Sequence, residues 1–204
     1  MPKVSYIVSV YDRLDHLKCC IASLGCQTDR DFEVIVVLTH PAINYVLEVS
    51  TILQNNLPDV IRSQVVNTIT HDAHSTYHAS NYGSGYAKGE FLCFPSDDSY
   101  YVPIFQEEHV RAAETNGWDF VYADQLYDRR QGDGKYSPMI TQMQCCHIDK
   151  TGFLIRRRVF EELNGFEGLD ENSQLGTADG FFAEKCRDRG VPNGKIHEVF
   201  SVHN

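Results

Sequence analysis

Three short apolar runs, each separated from the next by a stretch with helical spacing, do most to constrain what this chain can fold into. Val4-Ser5-Tyr6-Ile7-Val8-Ser9-Val10 is rich in β-branched residues and reads as a buried strand. After the loop Tyr11-Asp12-Arg13, residues Leu14, Leu17, Ile21 and Leu24 recur at helical spacing, with Asp12 or Asp15 available near the helix start. Residues 32–38 form a second strand that ends at Thr39-His40-Pro41, residues 43–53 read as a helix stopped by Pro58, and residues 65–69 form a third strand. Connections of this length are crossovers, so the pattern implies an α/β fold with a right-handed, mostly parallel twisted sheet flanked by helices. Ligands of such sheets bind outside the carboxyl ends of the strands. The 204 residues suit one domain, 1–204, long enough to bury a core without staples.

The centre of the chain is Phe91-Leu92-Cys93-Phe94-Pro95-Ser96-Asp97-Asp98, an apolar strand that empties into two adjacent carboxylates. Two acids at a sheet edge suit a hard divalent cation, which in turn suits a diphosphate. The competing reading makes Asp97 and Asp98 caps of a following helix. Upstream, residues 80–90 are glycine-rich, but they precede a strand and lack the GK[ST] ending of a P-loop. They read instead as a helix whose Gly and Ala faces pack close to the sheet, ended by Gly89 as C-cap. A net charge of −10 argues against nucleic acid or an anionic membrane as partner. Seven Cys with no CxxC and no signal peptide imply free thiols in a reducing cytoplasm, with peripheral membrane association left open. Cys145-Cys146-His147 lacks a zinc-ligand spacing. His71, His74 and His78 could share a helix face as a metal cluster, although a solvated loop is the commoner outcome. No run approaches the roughly 18 apolar residues of a membrane span.

The order of these motifs resembles the family 2 glycosyltransferases of GT-A fold. The residues that carry the likeness are Ser23-Leu24-Gly25-Cys26-Gln27, residues 32–37, Asn81, Gly83, Ala87-Lys88-Gly89-Glu90-Phe91 and Asp97-Asp98. The resemblance divides the chain into a nucleotide-sugar half, 1–100, and an acceptor and catalytic-base half, 101–204. It implies a nucleotide-sugar donor, UDP-linked by preference, and a Mn²⁺ or Mg²⁺ ion on the diphosphate. Asp98 is the expected metal ligand, with Asp97 on the metal or the ribose, and Tyr11, Asp12 and Thr39 around the nucleoside. Three positions depart from the family pattern: Thr39-His40 replaces an Asp that meets the base, Ser80 replaces an Arg before the Asn, and Pro95 replaces the first acid of Asp-x-Asp-Asp.

In the second half, Pro103 opens a helix with Phe105, Val110 and Ala113 on its buried face, closed at Asn116-Gly117. Residues 118–124 form a strand, and Asp124 at its end either contacts acceptor or belongs to a turn. Residues 129–135 read as a mobile hairpin tip. Arg156-Arg157-Arg158 point to different faces and read as a solvated or salt-bridged cluster rather than a phosphate grip. Asp179 sits at a helix start, where the dipole favours an acid. The resemblance makes it the catalytic base, with Ala178 in place of the usual Glu beside it, and makes His203 a metal ligand after the last strand. It also makes the chain close to a minimal catalytic domain, with a glycan, a lipid-linked saccharide or a protein as acceptor. The implied reaction is an inverting transfer to an acceptor hydroxyl. The rivals are a GT-like domain that binds nucleotide or sugar without turnover, and a nucleotidyltransferase, which normally carries a basic Gly-rich loop where this chain has Tyr-Asp-Arg.

Overall fold

The computed structural model describes residues 1–40, 44–67, 76–128, 135–167 and 177–203. In chain order the elements are β1 (Val4–Val10), α1 (Leu14–Gly25), β2 (Phe32–Leu38), α2 (Asn44–Asn56), β3 (Arg62–Asn67), α3 (Thr76–Ser84), β4 (Phe91–Cys93) and β5 (Ser99–Tyr101). They continue as α4 (Phe105–Asn116), β6 (Phe120–Tyr127), β7 (Ser137–Met139), a 3-10 turn (Lys150–Gly152), β8 (Phe153–Arg156), α5 (Arg157–Glu162), α6 (Ala178–Asp188) and β9 (Asn193–His203).

One sheet runs β3-β2-β1-β4-β8-β6-β9-β5, with β7 added to β6. The strands β3, β2, β1 and β4 are parallel, as the crossovers predict. Beyond β4 the sheet becomes mixed: β8 is antiparallel to β4 and β6, whereas β9 is parallel to β6 and antiparallel to β5. Every residue of β1 and β2 is buried, and successive side chains feed opposite faces of the sheet. Tyr6, Val8, Val34 and Val36 join Leu17, Ile21 and Leu24 of α1 and Val49 and Leu53 of α2 on one face. Ile7, Ile35 and Val37 join Tyr77 of α3, Phe160 of α5 and Phe182 of α6 on the other. Each such aliphatic or aromatic side chain contributes about 1.5–3 kcal/mol on burial, so the two helical layers are held mainly by packing on the sheet.

Some boundaries differ from expectation. β3 begins three residues early because Arg62, Ser63 and Gln64 lie on an edge strand, where polar residues face solvent. The helix α3 ends at Ser84, so Gly89 is not its C-cap. Gly89 instead crosses β1 where a side chain has no room: a Cβ there would lie 2.6 Å from the Ser5 nitrogen, and the Gly89 amide donates to Ser5 Oγ at 2.8 Å. The close approach of α3 to the sheet holds, since a Cβ on Gly83 would sit 2.5 Å from Ile7 Cγ2. Asp97 and Asp98 precede the strand β5, not a helix. Gly117 closes α4 in the left-handed conformation, with φ 68°. His71, His74 and the tip at 129–134 lie outside the described residues.

Candidate active site

The topology gathers acids and bases at one edge of the sheet. The chain after β4 keeps to that edge, with the Ser9 amide donating to Pro95 O at 3.2 Å and Ser9 bridged to Ser96, which carries Asp97 and Asp98 to the carboxyl end of β1. Because β8 runs antiparallel to β4, the residues that enter it, Asp149 and Lys150, arrive at the edge where β4 leaves. The pairing of Ser99 with His203 sets the end of β9 beside the acid pair.

Asp97 and Asp98 are only 3% and 4% exposed, and both are held by Arg13, which immediately precedes α1. Arg13 Nη1 donates to Asp98 Oδ2 at 2.7 Å, Nε donates to Asp97 Oδ2 at 3.2 Å, and Nη2 donates to Asp97 Oδ1. The other Asp98 oxygen, Oδ1, is buried and accepts no hydrogen bond. It faces His203 Nε2 at 3.4 Å, while His203 Nδ1 lies 2.9 Å from Asp149 Oδ2. Lys150 is buried beneath the acid loop and donates to Phe94 O at 3.0 Å and Ser96 Oγ at 3.3 Å.

These contacts split the carboxylates. Burial pushes Asp97 up to about 6 against the pull of Arg13. Burial also works against the Asp98 charge, but His203 and Arg13 hold that carboxyl below its usual value. Asp149 is held well below the carboxylate range, because His203 and the Thr151 donors outweigh its burial. Burial opposes the His203 charge in turn, yet Asp149 and Asp98 raise it to about 10. Asp98 Oδ1, which accepts no other hydrogen bond, and His203 Nε2, once its proton is lost, form an O/N donor pair open to a divalent cation such as Mn²⁺. Among the described residues no three His, Cys, Asp or Glu side chains are arranged to hold a metal by themselves, so such an ion would need further ligands.

Asp179 lies in the first turn of α6 and accepts from the amides of Lys150 at 2.9 Å and Gly180 at 2.8 Å. Burial and the neighbouring Asp149 charge raise it to about 7, and the Tyr77 hydroxyl sits beside it. Asp179 and Asp149 open onto a cleft of about 760 Å³ whose walls include Tyr127, Met139, Ile140 and His147.

The remaining predicted residues are placed as follows. Tyr11 follows β1, its ring 5.1 Å from that of His40, and Asp12 is exposed in the same loop. Thr39 is buried at the end of β2, and its hydroxyl donates to Val10 O at 3.2 Å. Ser80 is buried within α3, donating to Thr76 O at 2.7 Å. Asn81 clamps the 166 region by accepting from the Phe166 amide at 2.9 Å and donating to Phe166 O at 2.8 Å. Asp124 is engaged by Lys195 at 2.6 Å and the Thr141 amide at 2.7 Å. The arginine cluster is salt-bridged at the far edge of the sheet: Arg156 and Arg158 both meet Asp119, and Arg156 also meets Glu90. Sequence reasoning missed Arg13, Asp149, Lys150 and Tyr77 as site residues. The pair Asp149-Lys150 immediately before the 3-10 turn and β8 is a signal only once β8 is known to run antiparallel.

The profile of the Glycosyl transferase family 2 matches residues 5–169. Among solved structures, S. aureus TarS 1-349 superposes with a TM-score of 0.77 at 17% identity, covering 99% of this chain and 60% of its own. The complex of TarS 1-349 with UDP-GlcNAc gives 0.76 at 15% identity, covering 98% and 58%. The mannosyltransferase PcManGT from Pyrobaculum calidifontis, in complex with GDP-Man and Mn²⁺, gives 0.77 at 17% identity, covering 99% and 56%. The chain thus spans at most about 60% of the length of these structures, and at such identity they establish the fold, which is GT-A-like. With the profile matched over most of its length, the chain belongs to glycosyl transferase family 2.

Proposed function

We propose that this chain catalyses metal-dependent, inverting transfer of a sugar from a nucleotide-sugar to an acceptor hydroxyl. The observation that carries the reading is the meeting, at one sheet edge, of the buried Asp97-Asp98 pair with a cleft that holds a carboxyl poised near neutrality, Asp179. Asp98 Oδ1 and His203 Nε2, the latter giving up its proton to solvent, would hold the cation, and Asp149, at His203 Nδ1, fixes the ring so that Nε2 faces Asp98. A bound Mn²⁺ or Mg²⁺ supplies neutralisation of the diphosphate leaving group. Asp97 meets the ribose or the cation, and Tyr11, Asp12 and Thr39 border the nucleoside.

In this reading Asp179 takes the proton from an acceptor hydroxyl seated in the cleft as that oxygen attacks the anomeric carbon. A base near pH 7 is ionised at working pH and still basic enough to accept the proton. The Lys150 and Gly180 amides each occupy one oxygen and fix the carboxyl plane, leaving further lone pairs to the acceptor. The similar structures hold UDP-GlcNAc and GDP-Man, so UDP- and GDP-sugars are the first donors to test, UDP ahead of GDP.

The test is nucleoside diphosphate release from a panel of nucleotide-sugars with Mn²⁺, together with the anomeric configuration of the product by NMR. Release from one donor class, with inversion, is the expected result. Retention, or no release from any donor with simple glycan acceptors or water, would overturn the reading.

A further inference from the structure

Arg13 is the one cation that touches both acids of the pair among the described residues. Its guanidinium uses three nitrogens, two on Asp97 and one on Asp98, and its side chain is half exposed at the mouth of the site. The opposite corner of the pair is held more loosely: Asp98 Oδ1 accepts no hydrogen bond and faces His203 Nε2 at 3.4 Å. A divalent cation entering alone competes with a forked, charge-assisted contact. Arg13 is therefore a basic group near enough to the acid pair, and exposed enough, to turn toward an arriving diphosphate.

We propose that Arg13 is the resident cation of the Asp97-Asp98 pair and that the diphosphate draws it away, so that metal enters with the nucleotide rather than before it. This rests on the metal site of the proposed function and adds an order of binding and a residue that enforces it. Arg13 is a positioning residue here: it acts through the two carboxylates and through the diphosphate, not on the reacting atoms.

The experiment is a Mn²⁺ titration followed by the EPR signal of free Mn²⁺, on the full chain, with and without UDP or GDP. In the wild-type protein Mn²⁺ alone binds weakly, and a saturating nucleoside diphosphate tightens it at least about tenfold beyond what the nucleotide itself binds in buffer. In Arg13→Gln and Arg13→Met, Mn²⁺ alone binds at least about tenfold more tightly and the coupling to nucleotide shrinks. A circular-dichroism melt verifies that each variant is folded. Unchanged or weaker Mn²⁺ binding in folded variants overturns the proposal, as does a wild-type protein with no coupling, which needs no variant. Asp98→Asn separates the two levels. If it abolishes Mn²⁺ binding while the Arg13 variants behave as wild type, only the role of Arg13 falls. If Mn²⁺ binding survives in Asp98→Asn, the metal site itself is wrong and the proposal falls with it.

Discussion

Replacing Asp179 by Asn isolates the group on which the proposed chemistry turns. Its carboxyl rises from 3.8 to about 7 in the fold, first through burial and then through Asp149. A carboxyl raised in the fold favours folding while it is protonated. That stability is fully present below the unfolded value of 3.8 and is lost as pH climbs through about 7. The span corresponds to a loss of about 4 kcal/mol between acid and neutral pH. Asn cannot ionise, but its amide nitrogen must face one of the two backbone donors, from Lys150 or Gly180, at a cost of about 1–3 kcal/mol. The variant is thus less stable than wild type near pH 4, and the gap closes or reverses by pH 7.5. Urea unfolding at both pH values reads this directly. In the transfer assay, loss of the base slows turnover by about 10²–10⁴-fold at pH 8 while nucleotide affinity is kept. The wild-type rate falls on the acid side of pH 7. A stability gap that stays constant with pH, or undiminished turnover in Asp179→Asn, would falsify the assignment.

Other perturbations follow from the same contacts. Asp149→Asn removes the charge that helps raise Asp179, so the acid limb of the rate profile moves to lower pH, and Mn²⁺ affinity drops about 10–100-fold as His203 loses its orienting partner; an unmoved limb counts against the pairing. His109 is fully buried against Phe105 and Phe200, its Nδ1 2.8 Å from Phe105 O, and burial lowers it from 6.5 to about 4. Its neutrality in the fold is without penalty above pH 6.5, and roughly 3 kcal/mol of stability is lost as pH falls from there to about 4. His109→Phe should abolish that part of the acid sensitivity, read as the change in urea midpoint between pH 7 and 4.5. Gly83→Ala gains about 1 kcal/mol of helix propensity but drives a methyl into Ile7 and Val37, at about 1–3 kcal/mol. A net loss of stability is expected, and a gain in melting temperature would show that α3 can lift from the sheet.

The parts of this fold legible in the sequence are those with local periodicity. β1 and β2 bury every residue and are continuous apolar runs, while α1 shows its buried Leu17, Ile21 and Leu24 as a stripe. β5 was not legible: its three residues carry no period, and it exists because β9, about a hundred residues later, pairs with it. The same non-local pairing gives His203 its place, and the antiparallel β8 gives Asp149 and Lys150 theirs. Asp97 and Asp98 could be singled out because adjacent acids after an apolar strand are chemically conspicuous. Arg13 could not, since an Arg after a strand is ordinary until its partners, more than eighty residues away, are known. Gly89 was misread for a related reason: a glycine near a helix end suggests a cap, whereas the close approach of Ser5 is a tertiary fact.

The central claim is that the acid pair at the sheet edge is a metal-dependent nucleotide site. The most direct measurement is the melting temperature of wild type and Asp98→Asn with UDP and with GDP, each in the presence and absence of Mn²⁺. A ligand that binds only the folded chain raises the melting temperature by mass action. A shift for wild type with one nucleotide that needs Mn²⁺ and disappears in Asp98→Asn is the expected result. A shift of the same size without Mn²⁺, or one that survives in Asp98→Asn, would contradict it and move the nucleotide away from these carboxylates.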